Sequence, residues 1–539
     1  MSRKKKDWLL ALALTAPMII FFVCYLFYHP EDYSPTGFIQ YDNAGYVAYA
    51  RQYTDADQFN IFYSNPFNDS AGYPSIYIQT HIWLIALALK AGIPSSLVLI
   101  FFTLLCSFIC FRLLIAIYDH LVPAGRYKII SCIFFGWGGG LFVLAGGAYY
   151  LLQPAAGGSL WNSLLAIDPG GGWWGLSLGR SLFFSCEAYY HLLFLGTILC
   201  ILKKKWVPAL LVSFLLSISH PFTGIELLAI LCGWAFIEKI IVKNKSIPWY
   251  YVSGTMAILI FHLLYYLYYL NQFPDHKSVS EQYALNWYIT IARMLPAYAI
   301  AGTLAVFAFI KTKKSFFLLS HNRLFACWFI IAFLLAKHEW FIKPMQPVHF
   351  TRGYIWTSLF LLGLPALHQL FSFFRNIKYG KYAIAVLAIV FLLDNFTWIA
   401  QYSLSFPRGK SASYIIPEEK QVLTILNKQS GNKTLIIGYS SEEEVLTYLS
   451  LVYTKSYSWI SHPFTTPFAD KKKAAFDLFI NEGVIDPAWV NKEVIFIFRK
   501  KDSLELKRSS ALTFSYEPLI ETSSYKVVAA EIPGKTSTP

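Results

Sequence analysis

The sequence predicts a polytopic α-helical membrane protein of about eleven transmembrane helices, followed by a small soluble α/β domain at the C-terminus. Three observations predict it. Of the 539 residues, 56% are hydrophobic and only 14% charged, against about 25% charged in a soluble globular chain. The apolar residues gather in continuous runs of about 20 positions, the length a membrane-crossing helix needs, with none of the alternation of a β-barrel strand. After Ser403 the composition changes, and Lys, Glu and Ser return around short strand-like runs. A soluble multidomain enzyme and a disordered chain are both excluded.

In chain order, Arg3-Lys4-Lys5-Lys6 precede an apolar run over 8–28. The run is too long for a signal-peptide core and no small-residue cleavage site follows it, so it reads as an uncleaved first helix with its N-terminus inside. Further spans fall at 95–118, 128–152, 182–202, 206–219, 223–242, 249–270, 286–310, 324–338, 354–374 and 382–402. The stretch 76–90 is also apolar, but it follows Pro74 and carries Gln79 and His81, so it reads as a helix lying in the interface. With eleven spans, Arg126, Lys203 to Lys205, Lys239 to Lys245, Lys311 to Arg323 and Arg375 to Lys381 all fall on the inner side, and a twelfth breaks this agreement. The net charge of +14 thus reports orientation, and no nucleic acid is expected as a partner. Outer loops follow at 30–75, 153–181, 271–285 and 339–353, in a membrane domain over 1–405.

The remainder, 410–539, reads as an extracytoplasmic α/β domain, with strands at 434–439 and 494–498 and helices at 442–451 and 470–481. At about 130 residues it is large enough to fold alone. The eight cysteines lie in or beside apolar segments without a C-x-x-C pair, so they read as small core residues. Lys-rich inner loops without a targeting peptide point to a bacterial inner membrane.

The polar residues that carry chemistry gather in the outer loops. In the first, Asp42 stands between Tyr41 and Asn43 at the start of a helix-like stretch. It is either an N-cap or a carboxylate placed near the membrane surface as a general base. Asp55-Ala56-Asp57 is the one short string that points to a divalent cation. The second outer loop runs Asp168-Pro169-Gly170-Gly171-Gly172-Trp173-Trp174-Gly175 and then Arg180. Its glycines allow close backbone approach, and its indoles either stack on a sugar or sit at headgroup level. Glu187 and His191, four apart, share a helix face, either as a structural pair or lining a polar cavity. A metal site there lacks a visible third ligand. His220-Pro221 breaks an apolar stretch into a hairpin and puts His220 at the outer boundary. The last outer loop carries Lys343, His349 and Arg352 outside, against the positive-inside rule. Phosphate binding by Arg352 as a fork and Lys343 as a point charge is one reason; snorkelling to lipid headgroups is the other.

This layout resembles the GT-C superfamily of integral-membrane glycosyltransferases. Tyr41-Asp42-Asn43 matches the acidic position of the first outer loop. Ala71-Gly72-Tyr73-Pro74 followed by 76–90 looks like the interfacial segment after that loop, and His349-Phe350-Thr351-Arg352 like the late basic motif before a helix. The run from Tyr453 through Trp459-Ile460-Ser461-His462-Pro463 resembles the soluble domain of bacterial members. The resemblance implies a GT-C-like membrane domain and an inverting transfer of a sugar, hexosyl or pentosyl, from a polyprenyl-phosphate donor at the outer face. Asp42 would be the general base, and Arg352, Lys343 and Arg180 the donor-phosphate ligands. Tyr41, Asn43, Glu187, His191, His220 and His349 would line the cavity. Asn43 stands where a second acid would make a pair, which resembles the metal-independent branch, so no cofactor is expected. The partners implied are the donor, membrane lipid and a glycan, lipid or protein acceptor. Two rival classes remain: a transporter of lipid-linked glycans, which would show inverted repeats that the sequence lacks, and a non-catalytic membrane scaffold.

Overall fold

A computed structural model describes residues 3–55, 60–123, 125, 127–153, 159–408, 412–431, 433–441, 444–500 and 516–532. Asp57, Arg126 and positions 442–443 lie outside the described residues. The chain divides into two compact units. One holds 1–24, 101–268 and 284–405; the other holds 25–100, 269–283 and 406–539.

The first unit is helical. Across the described residues seven helices are long and apolar enough to cross a membrane: Lys4–Phe27, Ser95–Leu121, Ser185–Leu202, Trp249–Gln272, Ile291–Leu318, Pro347–Arg375 and Gly380–Ser403. The pair Lys128–Trp137 and Phe142–Leu152, bent by 57°, makes an eighth when taken as one span. Length and composition alone thus give seven or eight of the eleven expected spans. The segments expected at 206–219 and 324–338 form helices of only 14 and 17 residues, Trp206–Ser219 and Ser320–Ala336, whereas the one expected at 223–242 forms Pro221–Phe236 and continues directly as the π-helix Ile237–Ile241. Trp206–Ser219 and Ser320–Ala336 are shorter than the about 20 residues of an average membrane-spanning helix.

The bend in the third expected span has a physical cause. Gly138, Gly139 and Gly140 leave no room for a side chain: a Cβ on Gly140 would lie 2.3 Å from the Pro296 carbonyl oxygen. The backbone groups released there are met by two adjacent side chains. The Asp394 carboxylate accepts the N–H groups of Phe142 and Val143 at 3.0 and 2.8 Å. The Asn395 amide donates to the carbonyls of Trp137 and Gly138 at 2.8 and 3.0 Å. A break at membrane depth is tolerated only with such partners.

The second unit carries a five-stranded sheet. Tyr457–Ser458, Leu435–Gly438 and Glu493–Arg499 run parallel in that order, and Tyr525–Glu531 and Tyr516–Glu521 continue it antiparallel. Trp459, Phe476, Phe479, Trp489 and Phe496 form its core, with Phe476 and Phe479 supplied by the helix Ala469–Glu482. The residues after Phe27 belong to the same unit: Ser34–Pro35 pairs antiparallel with Tyr414–Ile415. Tyr25 donates its hydroxyl to the Ser413 carbonyl at 2.6 Å. The apolar stretch near 76–90 forms the 11-residue helix Thr80–Lys90.

Candidate active site

Asp42 stands at the N-cap position of the helix Asn43–Thr54, yet its side chain makes no capping hydrogen bond. The reason lies at the third residue of the helix. The Gly45 N–H, the donor such a cap would use, points at the Tyr448 hydroxyl at 2.7 Å. That approach needs glycine, since a Cβ there would lie 3.0 Å from the same hydroxyl and 3.2 Å from Phe67. The Asp42 carboxylate instead meets His462, with Oδ1 3.1 Å from Nε2. The Asp42 side chain is 69% exposed and that of His462 4%. Tyr41 and Tyr448 flank the imidazole, with ring centroids 5.0 and 5.4 Å away. Asn43 is buried at the start of the helix.

Arg51, on the same helix, donates to the carbonyls of Leu451 and Val452 at 3.2 and 2.7 Å. It thereby satisfies the C-terminal end of the helix Leu446–Tyr453. Its other terminal nitrogen pairs with Asp55 at 2.6 Å, which engages the one described acid of the Asp55-Ala56-Asp57 string. Nearby in sequence, Asp69 pairs with Lys472 at 3.1 Å. Burial raises the Asp69 carboxyl, but the Lys472 charge outweighs it and holds the group below its ordinary range. Among the described residues no group of three or more His, Cys, Asp or Glu side chains is arranged to hold a metal ion.

In the first unit, five of the expected residues join in one chain of contacts. Glu187, 1% exposed in the first turn of Ser185–Leu202, accepts from Arg352 Nη1 at 2.8 Å and from the Tyr354 hydroxyl at 3.3 Å. Tyr354 reaches Thr223 Oγ1 at 3.3 Å, and Thr223 reaches His220 Nδ1 at 3.0 Å. The His220 ring lies 5.6 Å from that of His349, which stacks flat on Phe222 at 4.5 Å. His191 does not bond its neighbour Glu187. It donates Nε2–H to the Arg352 carbonyl at 2.8 Å and stacks on Tyr354 at 4.3 Å. The turn that permits this is Gly353, at φ 75°, where a Cβ would lie 3.0 Å from Leu178 Cα. The Arg352 guanidinium lies over the Phe184 ring at 5.0 Å.

Arg180 is in a separate network and only 3% exposed. It pairs with Asp168 and donates Nε–H to Asn395 at 2.7 Å. Burial lifts the Asp168 carboxyl to about 6 against the pull of Arg180. Lys343 is exposed in the loop before Pro347. The partners that the sequence did not single out are Tyr448, Tyr354 and Thr223; all three lie in apolar surroundings that hide them. Glu226 was also unsignalled. It is fully buried, and neither carboxylate oxygen has a hydrogen-bond partner.

No protein-family model matches the sequence, and no curated protein matches it. The fold is similar to that of the oligosaccharyltransferase of Archaeoglobus fulgidus. Against its apo form the TM-score is 0.57 at 11% identity, over 96% of this chain and 74% of that one. Against the form tethered through a disulfide to an acceptor peptide containing the NVT sequon, the TM-score is 0.50 at 10% identity, over 90% and 69%. The shared property is the fold.

Proposed function

We propose that the chain is an integral-membrane glycosyltransferase that moves a sugar from a polyprenyl-phosphate donor to an acceptor at the outer face of a bacterial inner membrane. The observation that carries this reading is the likeness of fold to an oligosaccharyltransferase over 96% of the chain. The exposed Asp42 carboxylate supports it, because a base that must reach an incoming substrate cannot be buried in a cap.

In the reaction, Asp42 takes the proton of an acceptor hydroxyl as that oxygen bonds to the anomeric carbon. The bond from that carbon to the phosphate oxygen breaks, and its electron pair leaves with the phosphate. One displacement inverts the configuration. Arg352, with Lys343 as a second positive charge, stabilises the negative charge that develops on the departing phosphate. Arg180 is assigned the same role only through the guanidinium edge that Asp168 and Asn395 leave to it. Tyr41, Asn43, His191, His220 and His349 are assigned to the walls of the substrate cavities. Because the similar oligosaccharyltransferase takes an acceptor peptide, peptides join glycans and lipids as acceptor classes to be tried.

The test is a transfer assay on the purified chain in detergent, with a panel of short-chain polyprenyl-phosphate sugars and mixed acceptors, read as release of free polyprenyl phosphate. Release by the wild type, reduced at least 100-fold in a folded Asp42→Asn variant, is expected. Equal release by both removes Asp42 from the role of base. No release, and no binding of any donor, favours the scaffold over the enzyme.

A further inference from the structure

We infer that His462 is a positioning residue for Asp42, an inference that rests on the transferase reading for its consequence but on the structure alone for its geometry. Two backbone donors converge on the Nδ1 side of the ring. The N–H groups of Phe464 and Thr465 lie 3.1 and 3.2 Å from Nδ1. An atom that accepts two N–H groups presents a lone pair, so the ring proton is on Nε2. Nε2 is the atom that faces Asp42 Oδ1, so His462 donates and the carboxylate accepts.

The ring is held in this direction from every side. The turn after Tyr457–Ser458 is closed by Thr466, whose hydroxyl oxygen accepts the N–H groups of Ser461 and His462 at 3.2 and 3.0 Å. Tyr41, Phe67, Tyr448 and Phe464 pack around the imidazole, with centroids 5.0 to 6.0 Å away. An exposed aspartate at a helix start has a strong competing partner, the N–H of the third helical residue. Tyr448 occupies that N–H, and His462 supplies the alternative. The C-terminal part of the chain therefore aims a carboxylate that the first loop carries. A carboxylate with one oxygen fixed by a rigid donor presents its basic edge in one direction. Loss of such orientation in a reacting group costs about 100-fold in rate.

The inference predicts distinct behaviour in two measurements on the full-length chain in nanodiscs. In spectra of the protein labelled with ¹⁵N in its histidine rings, the resonance lost in His462→Gln is expected to show a protonated Nε2 and an unprotonated, hydrogen-bonded Nδ1. It is expected to move in Asp42→Ala. In the transfer assay, His462→Ala is expected to lower kcat about 10- to 100-fold with the donor KM unchanged, and His462→Gln, which keeps an N–H donor, to recover part of the loss. A proton on Nδ1, or a His462 signal indifferent to Asp42→Ala, overturns the inference whatever the transfer assay returns. So does a folded His462→Ala variant with wild-type kcat beside an inactive Asp42→Asn. A correct His462 signal in a chain that transfers no sugar overturns the transferase reading and supports the geometry.

Discussion

At the scale of single residues, the Arg352–Glu187 pair shows how a charge can be held for use. The Glu187 side chain is 2% exposed and that of Arg352 18%, so the guanidinium is the accessible member and the carboxylate its fixed support. Arg352→Ala strands a buried carboxylate without its counter-charge, and the expected cost is about 3 kcal/mol. Adding Glu187→Gln to that variant removes the stranded charge and is expected to restore most of the lost stability. Thermal unfolding of the two variants in detergent reads both effects; equal midpoints would mean the pair carries no such strain. The shared face of Glu187 and His191 was legible because helix geometry is local. Their partner was not. Both residues serve Arg352, 165 and 161 positions away, and nothing in a local pattern records a contact of that range. Asp42 gives the same lesson more sharply. The helix start was readable from Asp42 onward, but the choice between capping and display depended on Tyr448 and His462, about 400 positions later.

At the scale of elements, continuous apolar runs announced helices and strands well. The strands expected at 434–439 and 494–498 form as Leu435–Gly438 and Glu493–Arg499, since a parallel strand buried on both faces must be apolar throughout. The run over 128–152 hid its own break, because three glycines in an apolar stretch say that the backbone comes close to something without saying to what. The helix Pro417–Gln429 carries a device that no pattern revealed. Its Glu419 folds back to accept the Ile416 N–H at 3.1 Å and is buried in doing so. Burial, aided by the nearby Glu444 and Glu418, raises its carboxyl from 4.5 to about 7. Folded Glu419 thus keeps its proton up to about pH 7, whereas an unfolded glutamate loses it near 4.5. Between these values the folded state binds more proton, so stability falls as pH rises. The expected fall is about 3 kcal/mol, and Glu419→Gln is expected to abolish it. Amide exchange of this helix from pH 4.5 to 7.5, corrected for the intrinsic rate, measures the slope in both proteins; identical slopes would exclude Glu419 as its source.

At the scale of the whole molecule, the side of the membrane on which the chain ends turns on one helix. Taken as crossings, the seven long helices and the bent pair number eight, and an even number returns the C-terminus to the side of the N-terminus. Trp206–Ser219 and the helical run over 221–241 follow each other directly, and as a pair that goes out and returns they leave the parity unchanged. Ser320–Ala336 has no such companion. Its 17 residues extend about 25 Å, somewhat short of a core of about 30 Å, a mismatch that local thinning accommodates at modest cost. Contacts inside the second unit argue for a crossing. Asp42 touches His462 at 3.1 Å, and Gln282 donates to the carbonyls of Phe464 and Thr466 at 3.0 and 2.9 Å, so all three regions share one side. Between Gln282 and Phe464 lie three long helices, an odd number, and only a crossing by Ser320–Ala336 makes it even. The basic clusters agree: that crossing puts Lys311 to Arg323 and Arg375 to Lys381 on the same side, as the positive-inside rule requires. We therefore expect an N-terminus in the cytoplasm and a C-terminus outside it. Alkaline phosphatase fused after Pro539 is expected to be active and a green fluorescent protein there dark, with the reverse for fusions after Lys378. A fluorescent C-terminal fusion would mean that Ser320–Ala336 does not cross, and would at the same time separate His462 from Asp42 by a membrane.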